Sequence, residues 1–261
     1  MKKKQNIYII FYLTIFVSCA SFAGENPSAQ ELVKKADEVR NPKKPFRLDN
    51  KLTEYQSGLV KNNMSLVVYS KEDETSGQYK SVVIYKEPAR DLGKTVLLNG
   101  TKMWFYDPSS KASVRISPQQ RLIGQASEGD VVTVNLAKDY QAKLLGQESL
   151  EDADHKKKKC WHLDLSPAKD DAVYNRIEYW VEEGTYYPVK GKFYSDSGRL
   201  LKIAYYHNYE MQMGALRPTE VIIIDAVNSK MVTTMNFSNY REKIIPENWF
   251  QRDFLSHLKA D

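Results

Sequence analysis

Cysteine is nearly absent. The 261-residue chain has two, Cys19 and Cys160, and only Cys160 remains if the first 23 residues are removed. One thiol forms no internal disulfide and anchors no structural zinc site. Histidine is also sparse, with four scattered through the second half (His155, His162, His207 and His257). His155 and His162 flank Cys160, yet "EDADHKKKK" reads as a solvated loop and His162 shares a strand face with Cys160, so no metal or other cofactor is expected. No G-x-S-x-G, no H-E-x-x-H and no glycine-rich phosphate loop occurs. Acidic pairs such as Glu182-Glu183 fall at turns, and a glycosidase-like carboxylate pair is disfavoured. After the first 23 residues no run is long and apolar enough to span a membrane.

The opening segment "MKKKQNIYIIFYLTIFVSCASFAG" has three lysines, an uncharged apolar run from Ile7 to Val17 and then small residues. That order is a secretory signal peptide, and Ser21-Phe22-Ala23 places cleavage after Ala23. The expected organisation is a signal peptide over residues 1–23 and a single domain over 24–261. Cys19, after Phe16-Val17-Ser18, offers a competing lipid-anchored reading. Cleavage after Ala23 removes three lysines and no acid, so the net charge falls from +5 to +2. No basic field suited to nucleic acid remains.

What is present is a change of period. Ser28-Ala29-Gln30-Glu31 fits a capping box, and Ala29, Leu32, Val33, Ala36 and Val39 follow at helical spacing until Asn41-Pro42. The period then becomes two. Strands are predicted near Tyr55–Leu59, Met64–Ser70, Tyr79–Lys86, Lys94–Leu98, Lys102–Tyr106 and Ser113–Ser117. More are predicted near Tyr140–Gly146, Cys160–Leu165, Arg176–Glu182, Tyr187–Tyr194, Leu200–Tyr206, Thr219–Asp225 and Lys230–Tyr240. Short turns such as Asn99-Gly100 and Ser197-Gly198 join them, which means an antiparallel meander. Ser117-Pro118 opens a predicted short helix through Ile123, and Pro246 opens a predicted final helix with Trp249, Phe250, Phe254 and Leu258 on one stripe. A sheet of about a dozen strands is expected to curl toward a barrel, with helices on its concave side.

Several strands carry large residues on both faces, and "MWFY" (Met103 to Tyr106) is the clearest case. Either helices and core fill both faces, or the concave face is left partly unfilled for an apolar ligand. Lys156 to Lys159 is a solvated hairpin tip or a contact for an anionic surface.

Four stretches in order carry a resemblance: "YKEPARDLGKTVLLNGTKMWFYDPSSKASVRIS", "DYQAKLLGQESL", "YNRIEYWVEEGTYYPVKGKFYSDSGRLLK" and "IPENWFQRDFL". Over residues 28–257 the chain resembles the LolA-like family of periplasmic outer-membrane lipoprotein-sorting proteins. "SEGDVV" departs from the Gly-Ser-Asp-Phe-like stretch of that pattern. The resemblance implies an α+β, mainly β fold: a half-open antiparallel β-barrel with helices forming a lid over a hydrophobic cavity. It implies a non-enzymatic periplasmic carrier that shelters the acyl chains of lipoproteins and delivers them to the outer membrane. An inner-membrane transporter and an outer-membrane receptor would be its partners. A carrier of free lipid or another amphiphile, or a sensor or scaffold on the same fold, is the alternative. The residues expected at cavity and lid are Leu32, Val33, Ala36, Leu98, Trp104, Tyr106, Leu122 and Ile123, with Trp104 and Tyr106 facing inward. Arg40 is the one candidate for a polar residue that locks the lid.

Overall fold

The computed structural model describes residues 27–169 and 172–258, so the expected signal peptide and cleavage site, and Cys19, lie outside the described residues. Helix α1 (Ala29–Arg40) starts where the capping box places it. The Ser28 hydroxyl accepts from the Glu31 amide at 3.3 Å, and the Glu31 carboxylate accepts from the Ser28 amide at 2.9 Å. Leu32, Val33 and Ala36 are fully buried on its inner face.

The chain then builds a meander. Strands β1 (Phe46–Gln56) and β2 (Leu59–Glu72) meet at Ser57-Gly58, both at positive φ. The strand predicted at Tyr55–Leu59 is therefore a hairpin turn with strand on either side. Strands β3 (Tyr79–Glu87), β4 (Thr95–Asn99), β5 (Lys102–Asp107) and β6 (Ala112–Ile116) complete the first arm.

Residues 117–139 cross from one edge of the sheet to the other. This segment holds a small hairpin of β7 (Arg121–Ile123) and β8 (Ala126–Ser127), a 3-10 turn at Glu128–Asp130 and helix α2 (Leu136–Asp139). The predicted helix at 117–123 does not form. Ser117 caps one turn, with its hydroxyl accepting from the Gln119 amide at 3.2 Å and its carbonyl from the Gln120 amide at 3.0 Å. Then the chain extends.

The second arm runs β9 (Tyr140–Glu151), β10 (Lys157–Pro167), β11 (Arg176–Glu182), β12 (Pro188–Tyr194), β13 (Leu200–Gln212), β14 (Ala215–Asp225) and β15 (Met231–Glu242). Strand β15 pairs with β1 and joins the two arms into one antiparallel sheet of thirteen strands, ordered β6-β5-β4-β3-β2-β1-β15-β14-β13-β12-β11-β10-β9. Strands β6 and β9 are its edges. The expected half-open barrel is thus an open curved sheet, with no pairing between its ends among the described residues. The curvature shows in the core: Val96 and Met103 of the first arm, Leu163 and Ile177 of the second, and Leu32 of α1 belong to one buried cluster.

Side chains of the first arm alternate strictly between two cores. Leu66, Val68, Val83, Tyr85, Val96, Leu98 and Met103 join the concave cluster, which Phe105 flanks. Val67, Tyr69, Val82, Ile84, Leu97 and Tyr106 face the other way, and Trp104 packs with them. The C-terminal segment covers that convex face with Ile245, Phe250 and Leu255. It forms two 3-10 helices, Glu247–Phe250 and Arg252–His257, in place of the predicted helix. This is why strand β5 is apolar on both faces.

Candidate functional site

The crossing segment and α1 lie over the concave face and leave a cavity of about 150 Å³. Its floor comes from the middle of the sheet, where the arms join: Phe46 and Leu48 of β1, Ile223 of β14, and Met235 and Phe237 of β15. Its roof is Val131, Val132, Val134 and Leu136, with Arg40, Asn41 and Pro42 from the end of α1. Period-two strands put alternate residues on the floor, and a short valine run supplies the roof.

Polar ties fix the roof to its surroundings. The Asn41 amide donates to the Val134 carbonyl at 2.9 Å, and the Arg40 guanidinium donates to the same oxygen at 3.3 Å. Arg40 also pairs with Asp37, whose carboxylate accepts from the Ala137 amide at 2.8 Å. Burial pushes the Asp37 carboxyl up, and Arg40 and the Ala137 amide oppose that shift. Burial works against the Arg40 charge, while Tyr179 and Asp37 more than restore it. On the far side of α1, Arg217 of β14 donates to the Glu38 and Val39 carbonyls at 3.0 and 2.7 Å. A cation there satisfies the orphan carbonyls of the last turn. Thr133 bonds Ser70 at 2.7 Å, and the Asn135 amide donates to the Gln78 side chain at 2.7 Å.

At one end of the cavity stands a polar wall. Lys202 of β13 is buried in an ion pair with Asp130. The Tyr174 hydroxyl donates to the other Asp130 oxygen at 2.7 Å, and Ser127 donates to Asp130 at 2.9 Å. The Lys202 ammonium also lies 5.0 Å from the centre of the Tyr174 ring. Beneath the same crossing segment, Tyr85 donates to both Glu128 oxygens at 2.8 and 3.0 Å. Burial pushes the Glu128 carboxyl up to about 7, against the smaller opposing effect of the Tyr85 bond.

Of the residues expected at the site, Leu32, Val33, Ala36, Leu98 and Ile123 are packed in the concave core, and Leu122 flanks it. None of them lines the cavity. Trp104 and Tyr106 lie on the opposite face of the sheet, Trp104 beneath Arg252 and Tyr106 in the convex core, so their expected inward direction is reversed. Arg40 does line the cavity and touches the roof. Sequence reasoning missed the floor residues of β1, β14 and β15. The alternation Met235, Phe237 and Val221, Ile223 was the available signal.

Cys160 is buried with Trp180 and Val189 on the outer face of the second arm, where burial pushes its thiol up to about 12. His162 stacks on Trp180 at 4.2 Å. Among the described residues no group of three or more His, Cys, Asp or Glu side chains could hold a metal. No helix among them is long and apolar enough to cross a membrane.

A family model described as an uncharacterized protein matches residues 77–257. Among solved structures, a LolA superfamily protein from Nitrosomonas europaea is 31% identical, with a TM-score of 0.78 over 88% of this chain and 100% of its own. A DUF1329 family protein from Desulfovibrio piger is 22% identical, with a TM-score of 0.73 over 87% of this chain and 97% of its own. A domain from Vibrio parahaemolyticus, named for outer membrane lipoprotein sorting, is 19% identical, with a TM-score of 0.73 over 87% and 98%. No curated protein matches.

Proposed function

Because this chain belongs to the LolA superfamily, we propose that it is a periplasmic carrier that shelters acyl chains between its concave sheet face and a movable lid. The cargo of this reading is an acylated lipoprotein bound for the outer membrane, taken from an inner-membrane transporter and handed to an outer-membrane receptor. The observation that supports it is the apolar cavity under residues 131–140, floored by the strands where the two arms join. A void of about 150 Å³ is the size that admits benzene, and whole-ligand pockets begin near roughly 300 Å³. On this reading the lid is closed over the cavity, and a long chain enters only when the lid lifts.

The lid is α1 with residues 131–140, and Arg40 is its latch. Its bonds to the Val134 carbonyl and Asp37 tie the two lid pieces together. Each sheltered CH₂ contributes about 0.8 kcal/mol, so a chain lying along the floor compensates for the roof contacts it displaces. Transfer onward needs a better acyl site in the receiver and no bond-making step. A free amphiphile is the second reading, favoured by the polar end of the cavity at Lys202 and Tyr174.

The test is a binding measurement on the exported protein with a diacylated lipopeptide and with the same peptide lacking its chains. Micromolar or tighter binding of the first and none of the second is expected. Arg40→Leu, which unlatches the lid, should speed uptake of the lipopeptide. Failure of every acylated probe to bind, with the protein folded, would overturn the carrier reading.

A further inference from the structure

We infer that the polar end of the acyl cavity opens into a headgroup subsite for phosphate-bearing amphiphiles, in which Arg121 and Arg199 receive the phosphate. This rests on the carrier reading in its second form, the free amphiphile, and names the class of that cargo. Beyond the wall formed by Lys202 and Tyr174 lies a second cavity of about 380 Å³, and those two residues line both spaces. One space is floored by Ile223, Met235 and Phe237. The other is lined by Arg121, Gln125, Arg199 and Asp225. An apolar slot and a polar one that meet at a shared wall suit a molecule with a chain and a head once that wall parts.

The charges of the second cavity are poised for an anion. Among the described residues Asp225 is the one carboxylate that lines it, and it is committed to its own turn, where it accepts from the Val227 and Asn228 amides at 2.9 and 2.7 Å. The Lys202 charge is matched by Asp130. Arg121 and Arg199 are exposed, and neither side chain has an ion pair or hydrogen bond among the described residues. Two free guanidinium groups on one cavity are the forks that phosphate oxygens fill, often two bonds at a time. The Gln125 side-chain nitrogen is buried there with no acceptor among the described residues. A phosphate ester oxygen supplies the acceptor that this donor lacks.

Fold elements hold the two arginines at the mouth. Arg121 stands on β7, and its hairpin is pinned to the sheet by the Gln125 amide donating to Thr233 at 2.9 Å. Arg199 ends the tight turn from β12 into β13, where its amide donates to the Ser195 hydroxyl at 3.2 Å. Lys202 follows three residues later in β13. A chain threaded under the lid would leave its head between these two turns. An acylated peptide carries no phosphate, so this chemistry separates free phospholipid-like cargo from lipoprotein cargo.

The experiment compares palmitoyl lysophosphatidylglycerol, monopalmitoylglycerol and glycerol 3-phosphate on the exported protein at low salt. The phosphate should tighten binding of the palmitoyl chain about tenfold, as two charge-assisted arginine contacts predict, and added salt should narrow that gap. In Arg121→Gln/Arg199→Gln the preference should fall to within about twofold of parity, and Arg121→Lys/Arg199→Lys should keep most of it. Thermal melts check that both variants fold. Equal binding of the two palmitoyl probes by the unaltered protein would overturn the subsite and leave the carrier reading standing. The subsite also falls, and the carrier reading stands, if the Gln pair weakens both probes equally. Binding of glycerol 3-phosphate as tight as that of the lysolipid would make this a site for free phosphate esters and overturn the amphiphile assignment. If no probe binds, the subsite falls, and the diacylated lipopeptide measurement decides the carrier reading separately.

Discussion

Glu128 belongs to the crossing segment and turns its carboxyl onto the Tyr85 hydroxyl, and burial pushes it up to about 7 from an ordinary 4.5. Between those values the folded protein keeps a proton that the unfolded chain has released. Stability from this group is therefore fully present below 4.5 and is lost as pH rises through 7. The size is on the order of 3 kcal/mol. Urea unfolding at about pH 5 and about pH 8 should show the loss, and Glu128→Gln, which keeps an acceptor for Tyr85, should remove this part of the pH slope. An unchanged slope in the variant would assign it to other groups. Trp104 makes a second residue-scale case. It lies beneath Arg252 on the convex face, 4.5 Å from the guanidinium carbon. An acyl ligand under the lid should leave its emission alone, so the ligand-induced fluorescence change should survive in Trp104→Phe.

At the scale of elements, what the sequence shows and what it hides have different physical sources. Helix α1 was legible because its signals are local: Ser28 and Glu31 cap it, and Leu32, Val33 and Ala36 share one face. Most strands were legible because a period of two with turn residues between is also local. The direction of Trp104 was not legible, since the convex face of β5 is buried by Phe250 and Leu255, far along the chain. With both faces apolar, alternation loses its sign. The 117–123 segment failed for a related reason. Ser117 does cap a turn, but Gly124 then folds the chain into a hairpin against the sheet. Gly124 has φ +55, and an added Cβ would come within 2.2 Å of the Thr233 hydroxyl and 3.0 Å of Glu54 Cγ. Both the backbone angle and the space require glycine. Gly124→Ala should destabilise the fold by about 2–3 kcal/mol in a chemical melt. It should also loosen β7 and β8, which would appear as faster amide exchange at Gln125.

For the whole molecule, the order of the sheet sets where function is placed. The first and last strands pair at the centre, so the chain between β6 and β9 must travel from edge to edge, and it does so across the concave face. That crossing makes the roof of the cavity without needing a separate domain. The convex face of the first arm is sealed independently by the C-terminal segment, where Phe250 is buried against Val67, Tyr69 and Leu97 and its carbonyl accepts from Asn99 at 2.8 Å. On the proposed reading the two faces of one sheet carry separate tasks: stability on the convex side of the first arm and the acyl cavity on the concave side. Phe250→Ala should cost about 3–5 kcal/mol, the penalty for emptying a large buried site. It should leave the affinity of the folded protein for an acylated probe within about twofold, because no residue of that segment reaches the cavity. Phe237→Ala should do the reverse. Phe237 is only partly buried at the cavity floor, so its loss removes ligand contacts more than packing. Urea midpoints paired with acyl affinities for both variants decide this. A Phe250→Ala protein that stays folded yet loses its ligand would show that the two faces are coupled through β2, β3 and β4.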